Sequence, residues 1–283
     1  MSDLRLRKYT AFTSDPSGGN PAGVWVGDEL PDSDYMQRIA AEVGFSETAF
    51  IAPATGRERL VRYYSPEDEV PFCGHATIAA GIAVASSEGD GTYQFDTRVG
   101  QVPVSVELRD GVRVASLTSV EPRYTSPSSQ LVADALGALS WTADDLDPAI
   151  LPANAFAGAW HLILAAATRD RLSALNYDFE RLKAIMLGSD LTTLQLVWRQ
   201  EETLFRSRNP FPVGGIVEDP ATGAAAAALG GYLREAGLIE TPAAITIYQG
   251  EEIGRPSQIT VDIPKDGGII VSGTAVRIQC RAG

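Results

Sequence analysis

Cys73 and His75 lie two residues apart in the segment VPFCGHAT, where a polar turn leads into an Ala-rich apolar stretch. The chain of 283 residues contains only two cysteines and two histidines. A thiol and an imidazole could form a nucleophilic pair, part of a metal site or part of an acid–base site. Side chains two residues apart on one turn rarely face each other, and no Asn or Asp obviously orients the ring. The spacing therefore favours acid–base chemistry over a nucleophilic pair.

Metal and cofactor sites find little support in the sequence. A zinc site needs three or four converging ligands, but His161 lies in the apolar segment AWHLILAA and Cys280 in a predicted terminal strand. Neither glycine-rich nucleotide motif, GxGxxG or GxxxxGK[ST], occurs in a suitable context. No lysine stands in a segment typical of a pyridoxal phosphate Schiff base. We therefore predict neither a metal nor a cofactor.

Two carboxylates are candidates for moving protons. Glu47 falls in FSETAFI, a predicted strand of otherwise apolar and hydroxyl residues, where partial desolvation would raise its pKa and suit a proton shuttle. Alternation alone also allows Glu47 to point to solvent. Asp219 precedes a predicted helix, where an aspartate usually caps the backbone N–H groups, and His75 could equally be a first-turn residue bonded to the backbone.

Charge and composition restrict the class of protein. The formal net charge is −13, from 36 acidic and 23 basic residues, which disfavours binding to nucleic acids and anionic membranes. No apolar run approaches the roughly 18 residues of a membrane span, and the N-terminus lacks the order of a signal peptide. Two cysteines cannot build a disulfide framework. We predict a cytoplasmic protein.

The elements that must position these residues alternate between strands and helices. A helix is predicted over 33–44, with Asp32 or Ser33 as cap and Gly44 as stop. Further helices are predicted over 74–86, 128–138, 167–187 and 221–237. Strands are predicted over 4–12, 22–27, 46–51, 58–65, three runs within 92–118, 161–167, 192–200, 202–208 and four runs after 243. The segment 213–223 is predicted to form turns, and the polar segment 121–129 a domain boundary.

The two halves of the chain share one feature. In each, a polar turn feeds a helix of small apolar residues, at EVPFCGHATIAAGIAVA and at VEDPATGAAAAALGGYL. Cys73 and Asp219 are 146 residues apart, which is close to half the chain. A duplicated α/β unit would place two helix N-termini across a cleft, where their unpaired N–H groups could hold a carboxylate.

The motifs GNPAGVW, GFSETAFI, YYSPEDEVPFCGHATIAA and EDPATGAAAAALGGYL together resemble the PhzF family of phenazine-biosynthesis isomerase-like proteins. The segments QGEEIGRPSQI and SGTAVRI also match the family, so the resemblance runs from residue 8 to residue 278. It implies an α/β diaminopimelate epimerase-like fold, with two similar halves that each wrap a sheet around a central helix. The implied domains are 1–120 plus 266–283 and 121–265, with the active site in the cleft between them. The family is typically homodimeric and uses no cofactor.

The resemblance also implies roles for individual residues. Glu47 matches the family's acid–base glutamate, while His75 and Asp219 match polar residues that contact the substrate and relay or hold the proton. The substrate site is predicted to include Asn20, Ser46, Cys73, Gly74, Gly223 and Ala224.

Two departures from related patterns limit the predicted chemistry. Racemases and epimerases of this fold use a cysteine at the start of each central helix, whereas this chain has Cys73 at the first position and Asp219 at the second. A symmetrical two-thiol racemase is therefore not expected, and Cys73 is predicted to pack rather than catalyse. Many family members have Ser where this chain has Ala224, so the substrate is expected to lack a matching polar group.

These observations predict a cofactor-independent isomerase that moves a proton within a small conjugated amino or imino carboxylic acid. The reaction of trans-2,3-dihydro-3-hydroxyanthranilate, or a related step in secondary metabolism, would fit. Two alternatives stay open: an amino-acid epimerase or racemase that uses Cys73, and a non-catalytic homologue that binds metabolites or protein partners.

Overall fold

The computed structural model describes residues 5–279, which form two compact units. One unit holds the residues up to Thr118 together with those from Ser272 onwards, and the other holds Ser119–Val271. This division differs from the sequence-based domains by two residues at the first boundary and six at the second. The second unit thus extends from Ser119 to Val271. Cys280 lies outside the described residues.

The first unit is a mixed sheet with two helices. Its elements are β1 (Leu6–Ala11), β2 (Asn20–Val26), α1 (Ser33–Val43), β3 (Glu47–Pro53), β4 (Glu58–Tyr64), β5 (Glu69–Val70), α2 (Gly74–Glu88), β6 (Gly91–Thr97), β7 (Gly100–Arg109) and β8 (Val112–Thr118). Strands β2 and β3 pair in parallel, as do β4 and β6, whereas β1–β2, β3–β4, β6–β7 and β7–β8 are antiparallel.

Helix α2 is the centre of this unit. It contacts β1, β2, β3, β7 and β8, and every residue from His75 to Ala85 is buried. A helix that is apolar on all sides must be surrounded by its own protein, and the run of Ala and Gly lets the strands approach it closely. A Cβ added at Gly81 would lie 2.8 Å from Val104 Cγ1. The small residues of α2 thus fix the position of its N-terminus, which carries His75.

Helix α1 sets the start of β3. Asp32 caps α1 by accepting a hydrogen bond from the Tyr35 amide, and Gly44 ends it in the left-handed conformation, with φ 68°. Its apolar face packs against Trp25 and Phe50 of the sheet. The predicted helix over 33–44 is confirmed in position and in both end signals. Because β3 begins three residues after Gly44, this packing also holds Glu47.

The second unit has the same general plan, with more helices. Its elements are β9 (Arg123–Thr125), α3 (Ser129–Leu139), β10 (Ala153–Phe156), β11 (Trp160–Ala165), α4 (Arg169–Ser173), α5 (Phe179–Gly188), β12 (Thr193–Glu201), β13 (Leu204–Phe211), β14 (Ile216–Asp219), α6 (Gly223–Glu235), β15 (Ala243–Gln249) and β16 (Ser257–Ile263). Strand β17 (Ile270–Gly273) begins in this unit and ends in the first, since the division falls after Val271. The last strand, β18 (Ala275–Arg277), returns to the first unit and pairs antiparallel with β1.

Helix α6 occupies the centre of the second unit. It contacts β9, β10, β11, β12 and β16, and it is buried from Ala225 to Leu233. Added Cβ atoms would lie 2.9 Å from Val261 Cγ1 at Gly230 and 2.3 Å from Pro122 Cβ at Gly231. Small residues therefore allow the close packing of this helix as they do for α2. A separate apolar cluster, which includes Trp141 and Leu182, joins α3, α4 and α5 to β11 and β12.

Two predicted elements differ from the structure. The single helix predicted over 167–187 is two helices, α4 and α5, because Asp178 starts a new helix by accepting a hydrogen bond from the Arg181 amide. The turns predicted over 213–223 contain strand β14, which ends at Asp219. Among the helices of residues 5–279, none combines the length and the apolar composition that crossing a bilayer requires.

Candidate active site

Glu47 and His75 meet in the first unit. Glu47 is the first residue of β3 and is the register partner of Ala22 in β2, while His75 is the second residue of α2. The Glu47 Oε2 atom lies 3.3 Å from His75 Nε2. The side chains are 17% and 8% exposed, respectively, so the pair is largely shielded but still reachable from solvent.

One oxygen of the Glu47 carboxylate is buried without a hydrogen bond from the described residues. Among the described residues, the buried Oε2 atom has no partner in hydrogen-bond geometry, although His75 Nε2 is at ion-pair distance. A buried polar atom without a hydrogen bond costs about 1–3 kcal/mol, which a protein retains where the atom has a partner outside the fold. The geometry thus leaves one buried oxygen of Glu47 without a hydrogen-bond donor from residues 5–279.

Cys73 and Ser46 complete the surroundings of the imidazole. Cys73 Sγ lies 3.4 Å from His75 Nδ1 and 3.8 Å from Nε2, and Ser46 Oγ lies 3.5 Å from Nε2. The spacing argument that Cys73 and His75 would not face each other is therefore wrong. Cys73 stands just before α2 in an extended conformation, which turns its thiol back toward the ring on the first helical turn.

Asn20 and Gly74 lie at the starts of the elements that carry this pair. Asn20 begins β2 and is buried, and the preceding Gly19 has φ +67°, where an added Cβ would come within 2.3 Å of the Ala11 carbonyl oxygen. Glycine is thus required at this turn. Gly74 is the first residue of α2, and an added Cβ there would meet no heavy atom within 4 Å. The space beside the helix N-terminus is open on that side.

Asp219 lies in the second unit, at the end of β14, and a hydrogen-bond network holds it. Thr222 Oγ1 donates to Asp219 Oδ2 over 2.6 Å, and Gln249 Nε2 donates to the Asp219 carbonyl oxygen over 2.7 Å and to Thr222 Oγ1 over 3.1 Å. Gln249 Oε1 accepts from the Thr222 amide and from Ser207 Oγ, each over 3.2 Å. Thr222, not Asp219, holds the N-cap position of α6.

Gly223 and Ala224 are the first two residues of α6. Gly223 is buried and Ala224 is half-buried, so the Ala224 methyl group retains some contact with solvent. A hydroxyl at this position would stand on the first turn of the helix. The structure thus places the predicted residues Glu47, Ser46, Cys73, Gly74, His75 and Asn20 in one unit, and Asp219, Gly223 and Ala224 in the other.

A buried ion pair beside Asp219 is not predicted by the sequence patterns. Arg208 in β13 donates from Nε to Glu218 Oε1 over 3.0 Å and from Nη2 to Oε2 over 2.5 Å, and its Nη1 donates to the Ser173 carbonyl oxygen over 2.8 Å. The two side chains are only 9% and 1% exposed. Burial, and secondarily the charge of Glu218, raises the pKa of Tyr177 to about 12. An arginine in an alternating strand gives no signal that its side chain points inward.

His161 is fully buried in the second unit and is not part of either group of predicted site residues. Its Nδ1 lies 2.8 Å from Thr193 Oγ1, which also accepts from Asn209 Nδ2 over 3.2 Å. Its buried Nε2 has no hydrogen-bond partner within residues 5–279. Burial lowers the pKa of His161 to about 3, against the smaller opposing effect of a hydrogen bond with Thr193.

This depressed pKa predicts acid sensitivity. Between pH 6.5 and about 3 the unfolded chain binds a proton at His161 that the native chain does not, so stability falls as the pH falls. We expect a loss of about 1.4 kcal/mol per pH unit from this group. Other acids titrate in the same range, so urea unfolding of the wild type and His161→Gln should be compared at several pH values. A difference between the two proteins that does not change from pH 6.5 to pH 4 would contradict this expectation.

A family model described as phenazine biosynthesis-like protein matches residues 9–281. The chain is 30% identical over 294 residues to the uncharacterized isomerase YfhB of Bacillus subtilis, with 99% of each chain covered. It is 34% identical over 250 residues to the trans-2,3-dihydro-3-hydroxyanthranilate isomerase of Pseudomonas fluorescens, with 87% of this chain and 86% of that protein covered.

Solved structures share the fold. A phenazine biosynthesis protein of the PhzF family from Bacillus anthracis matches with a TM-score of 0.85 at 23% identity, over 97% of this chain and 96% of that one. A probable proline racemase from Agrobacterium radiobacter K84 matches with a TM-score of 0.64 at 12% identity, over 98% and 93% of the two chains. The diaminopimelate epimerase-like fold that the sequence motifs imply is thereby confirmed.

Proposed function

This chain belongs to the phenazine biosynthesis-like protein family and is an isomerase, and we propose that it moves a proton within a small conjugated amino or imino carboxylic acid without a cofactor. The observation that carries the proposal is the Glu47 carboxylate, whose buried Oε2 atom lacks a hydrogen-bond partner among the described residues. The relative from Pseudomonas fluorescens is named for trans-2,3-dihydro-3-hydroxyanthranilate, and this compound is the first substrate to test.

Glu47 acts as the proton carrier in this proposal. The carboxylate takes a proton from a carbon of the substrate, and the electron pair of that C–H bond enters the conjugated system. The double bonds shift along the system, and the protonated Glu47 then returns a proton to a carbon at its far end. The product is an isomer of the substrate, so no oxidant, reductant or second substrate is needed.

In this proposal His75 stabilises the Glu47 carboxylate by donating a hydrogen bond. If the Cys73 thiol proton points at Nδ1, 3.4 Å away, the ring proton is on Nε2, which lies 3.3 Å from the Glu47 carboxylate. An Nε2–H group there can stabilise the carboxylate before proton abstraction and release it when Glu47 is protonated. Cys73 in this role orients the ring and does not itself exchange a proton with the substrate.

The substrate carboxylate requires donors, and the start of α2 supplies them. The N–H groups of the first helical turn lack partners within the helix and carry a partial positive charge. The open space beside Gly74 gives access to them. We propose that Asn20 and Ser46 also contact the substrate, because Asn20 stands two residues before Ala22, the register partner of Glu47. A place for Ser46 in the lining of the substrate site is supported by the 3.5 Å distance between its Oγ atom and His75 Nε2.

Residues of the second unit are proposed to bind the substrate as well. The EDPATG motif that Asp219 shares with the family supports a polar contact from its carboxylate, which Thr222 and Gln249 hold in one orientation. Gly223 and Ala224 would contact the substrate at the start of α6. Because Ala224 offers a methyl group, we expect a substrate that is apolar at the matching position.

Isotope labelling tests the proposed reaction. In D₂O with trans-2,3-dihydro-3-hydroxyanthranilate, the product should carry deuterium at the new C–H position, with at most one atom per turnover. Incorporation should be below one atom if the site excludes water while Glu47 is protonated. Recovered substrate should carry little label. Mass spectrometry and NMR of product and substrate give these numbers.

One pattern of label would contradict the proton shift. Deuterium at the original α-carbon of an inverted product, with none at a distal carbon, is the result of a racemase or epimerase. The proximity of the Cys73 thiol to His75 makes that reaction the main competitor. Chiral analysis of amino acids incubated with the protein would then identify the reaction.

A further inference from the structure

Three potential metal ligands converge at the proposed proton site. Glu47, Cys73 and His75 each offer one donor atom, and these atoms all lie within 4.8 Å of one another. The spacing of the cysteines and histidines along the chain does not reveal this set, because the third ligand is a carboxylate from strand β3. A carboxylate, a thiolate and an imidazole are all common ligands of Zn²⁺.

The distances approach those of a tetrahedral zinc site. With Zn–S bonds near 2.3 Å and Zn–N and Zn–O bonds near 2.0–2.2 Å, neighbouring ligand atoms are about 3.3–3.7 Å apart. His75 Nε2 lies 3.3 Å from Glu47 Oε2 and 3.8 Å from Cys73 Sγ. The first separation already fits, and the second requires a movement of only a few tenths of an ångström. Cys73 Sγ and the Glu47 ligand oxygen lie within 4.8 Å, so they must approach by up to about 1 Å.

The charges and the support of the ligands also suit a divalent cation. A thiolate and a carboxylate balance the two charges of Zn²⁺ when the imidazole is neutral, and the chain as a whole is strongly acidic, with a net charge of −13. Hydrogen bonds fix the backbone that presents the thiol, because Thr77 Oγ1 donates to the Cys73 carbonyl oxygen over 2.6 Å and also lies 2.7 Å from the Tyr63 hydroxyl. Such supporting contacts hold metal ligands in position.

We propose that Glu47, Cys73 and His75 bind one Zn²⁺ ion with an open fourth position, and that the bound ion inhibits the isomerase. The Cys73 thiol loses its proton to solvent on binding, and the ion occupies the lone pairs with which Glu47 and His75 would otherwise handle the substrate proton. The inhibition rests on the proposed function, whereas zinc binding does not. The ion is an inhibitor in this proposal, and the reaction itself needs no metal.

Calorimetric titration tests the binding directly. Chelator-treated protein is titrated with ZnCl₂ at pH 7, using the wild type, Cys73→Ser and, as the matched control, Cys280→Ser, which changes the chain's other cysteine. We expect one Zn²⁺ per chain for the wild type and Cys280→Ser. The affinity of Cys73→Ser should be lower by at least about 100-fold, because removing a direct ligand costs no less than removing a supporting partner, which costs about 10–100-fold. Equal affinities of the wild type and Cys73→Ser, or no binding by the wild type, would overturn the site.

Cobalt gives a second readout that does not depend on activity. Co²⁺ bound by the wild type should show a thiolate-to-metal charge-transfer absorption, which Cys73→Ser should lack, while thermal unfolding shows whether the variant is folded. Its absence from the wild type would remove Cys73 from the ligand set. Where isomerisation is measurable, Zn²⁺ should abolish it at the concentration that saturates the calorimetric site, and a chelator should restore it. Full activity at saturating Zn²⁺ would overturn the inhibition and leave the proton shift in place.

Discussion

Replacing Glu47 with Gln should lower kcat by about 10²–10⁴-fold while the protein stays folded. Gln has nearly the shape of Glu and remains polar, but it cannot accept a proton from carbon at neutral pH. Since the buried Glu47 Oε2 atom has no hydrogen-bond partner among residues 5–279, the change removes no hydrogen bond at that atom and only the ion-pair contact with His75. Steady-state kinetics with the labelled-product assay measure the loss, and urea unfolding shows that stability is retained.

Glu58→Gln is the matched control for this experiment. Glu58 is the first residue of β4, as Glu47 is of β3, but its side chain is exposed. The control should keep the kcat and KM of the wild type. Glu47→Gln with wild-type turnover would remove Glu47 from the mechanism. A change confined to KM would show that the carboxylate binds the substrate without moving its proton.

Glu218→Gln should destabilise the second unit by about 3–5 kcal/mol, the usual cost of removing one partner of a buried ion pair. Arg208 would keep its charge in a place where its side chain is only 9% exposed, and it would lose a bidentate partner. Urea unfolding measures this loss: the shift of the midpoint, multiplied by an unchanged m-value, gives the change in the free energy of unfolding. A value under about 1 kcal/mol would contradict the expectation.

An exposed ion pair supplies the comparison. Glu107 accepts from Arg109 Nε over 2.6 Å, but both side chains are about half exposed, at 58% and 46%. Glu107→Gln should therefore change stability by less than about 1 kcal/mol. The double variant Arg208→Met with Glu218→Gln should recover part of the stability lost by Glu218→Gln, because it no longer leaves a buried charge unpaired.

Local signals in the sequence predict much of the fold. Asp32 and Gly44 mark the two ends of α1 because a side-chain cap and a left-handed glycine act within a few residues. The split between α4 and α5 escapes prediction because apolar residues continue across it and only the cap at Asp178 reveals the new helix. Strand β14 escapes prediction because its glycine-rich surroundings outweigh a strand in which only Ile216, Glu218 and Asp219 have register partners in β13.

In the candidate site, too, motifs in the sequence identify residues, whereas contacts between distant residues are seen only in the structure. Motifs identify Glu47 and His75, but alternation alone could not show that Glu47 faces inward, since its neighbour in space comes from a helix 28 residues later in the chain. The contact of Cys73 with His75 depends on the extended backbone before α2. The ion pair of Arg208 and Glu218 depends on the pairing of β13 with β14. Contacts of this kind cannot be predicted from the spacing of residues along the sequence.

The buried side chain of Gln249 restricts the motion of Asp219. It ties the segment from Asp219 to Thr222 to β15, where Gln249 ends the strand, and to Ser207 in β13. Opening this segment must break its hydrogen bonds to Gln249 and the pairing of Asp219 with Asn209 of β13, so the segment opens with the cooperative core and not as an independent loop. Asp219 is thus ordered before any ligand arrives, and binding to it incurs little of the entropy loss that a flexible loop would suffer on becoming fixed.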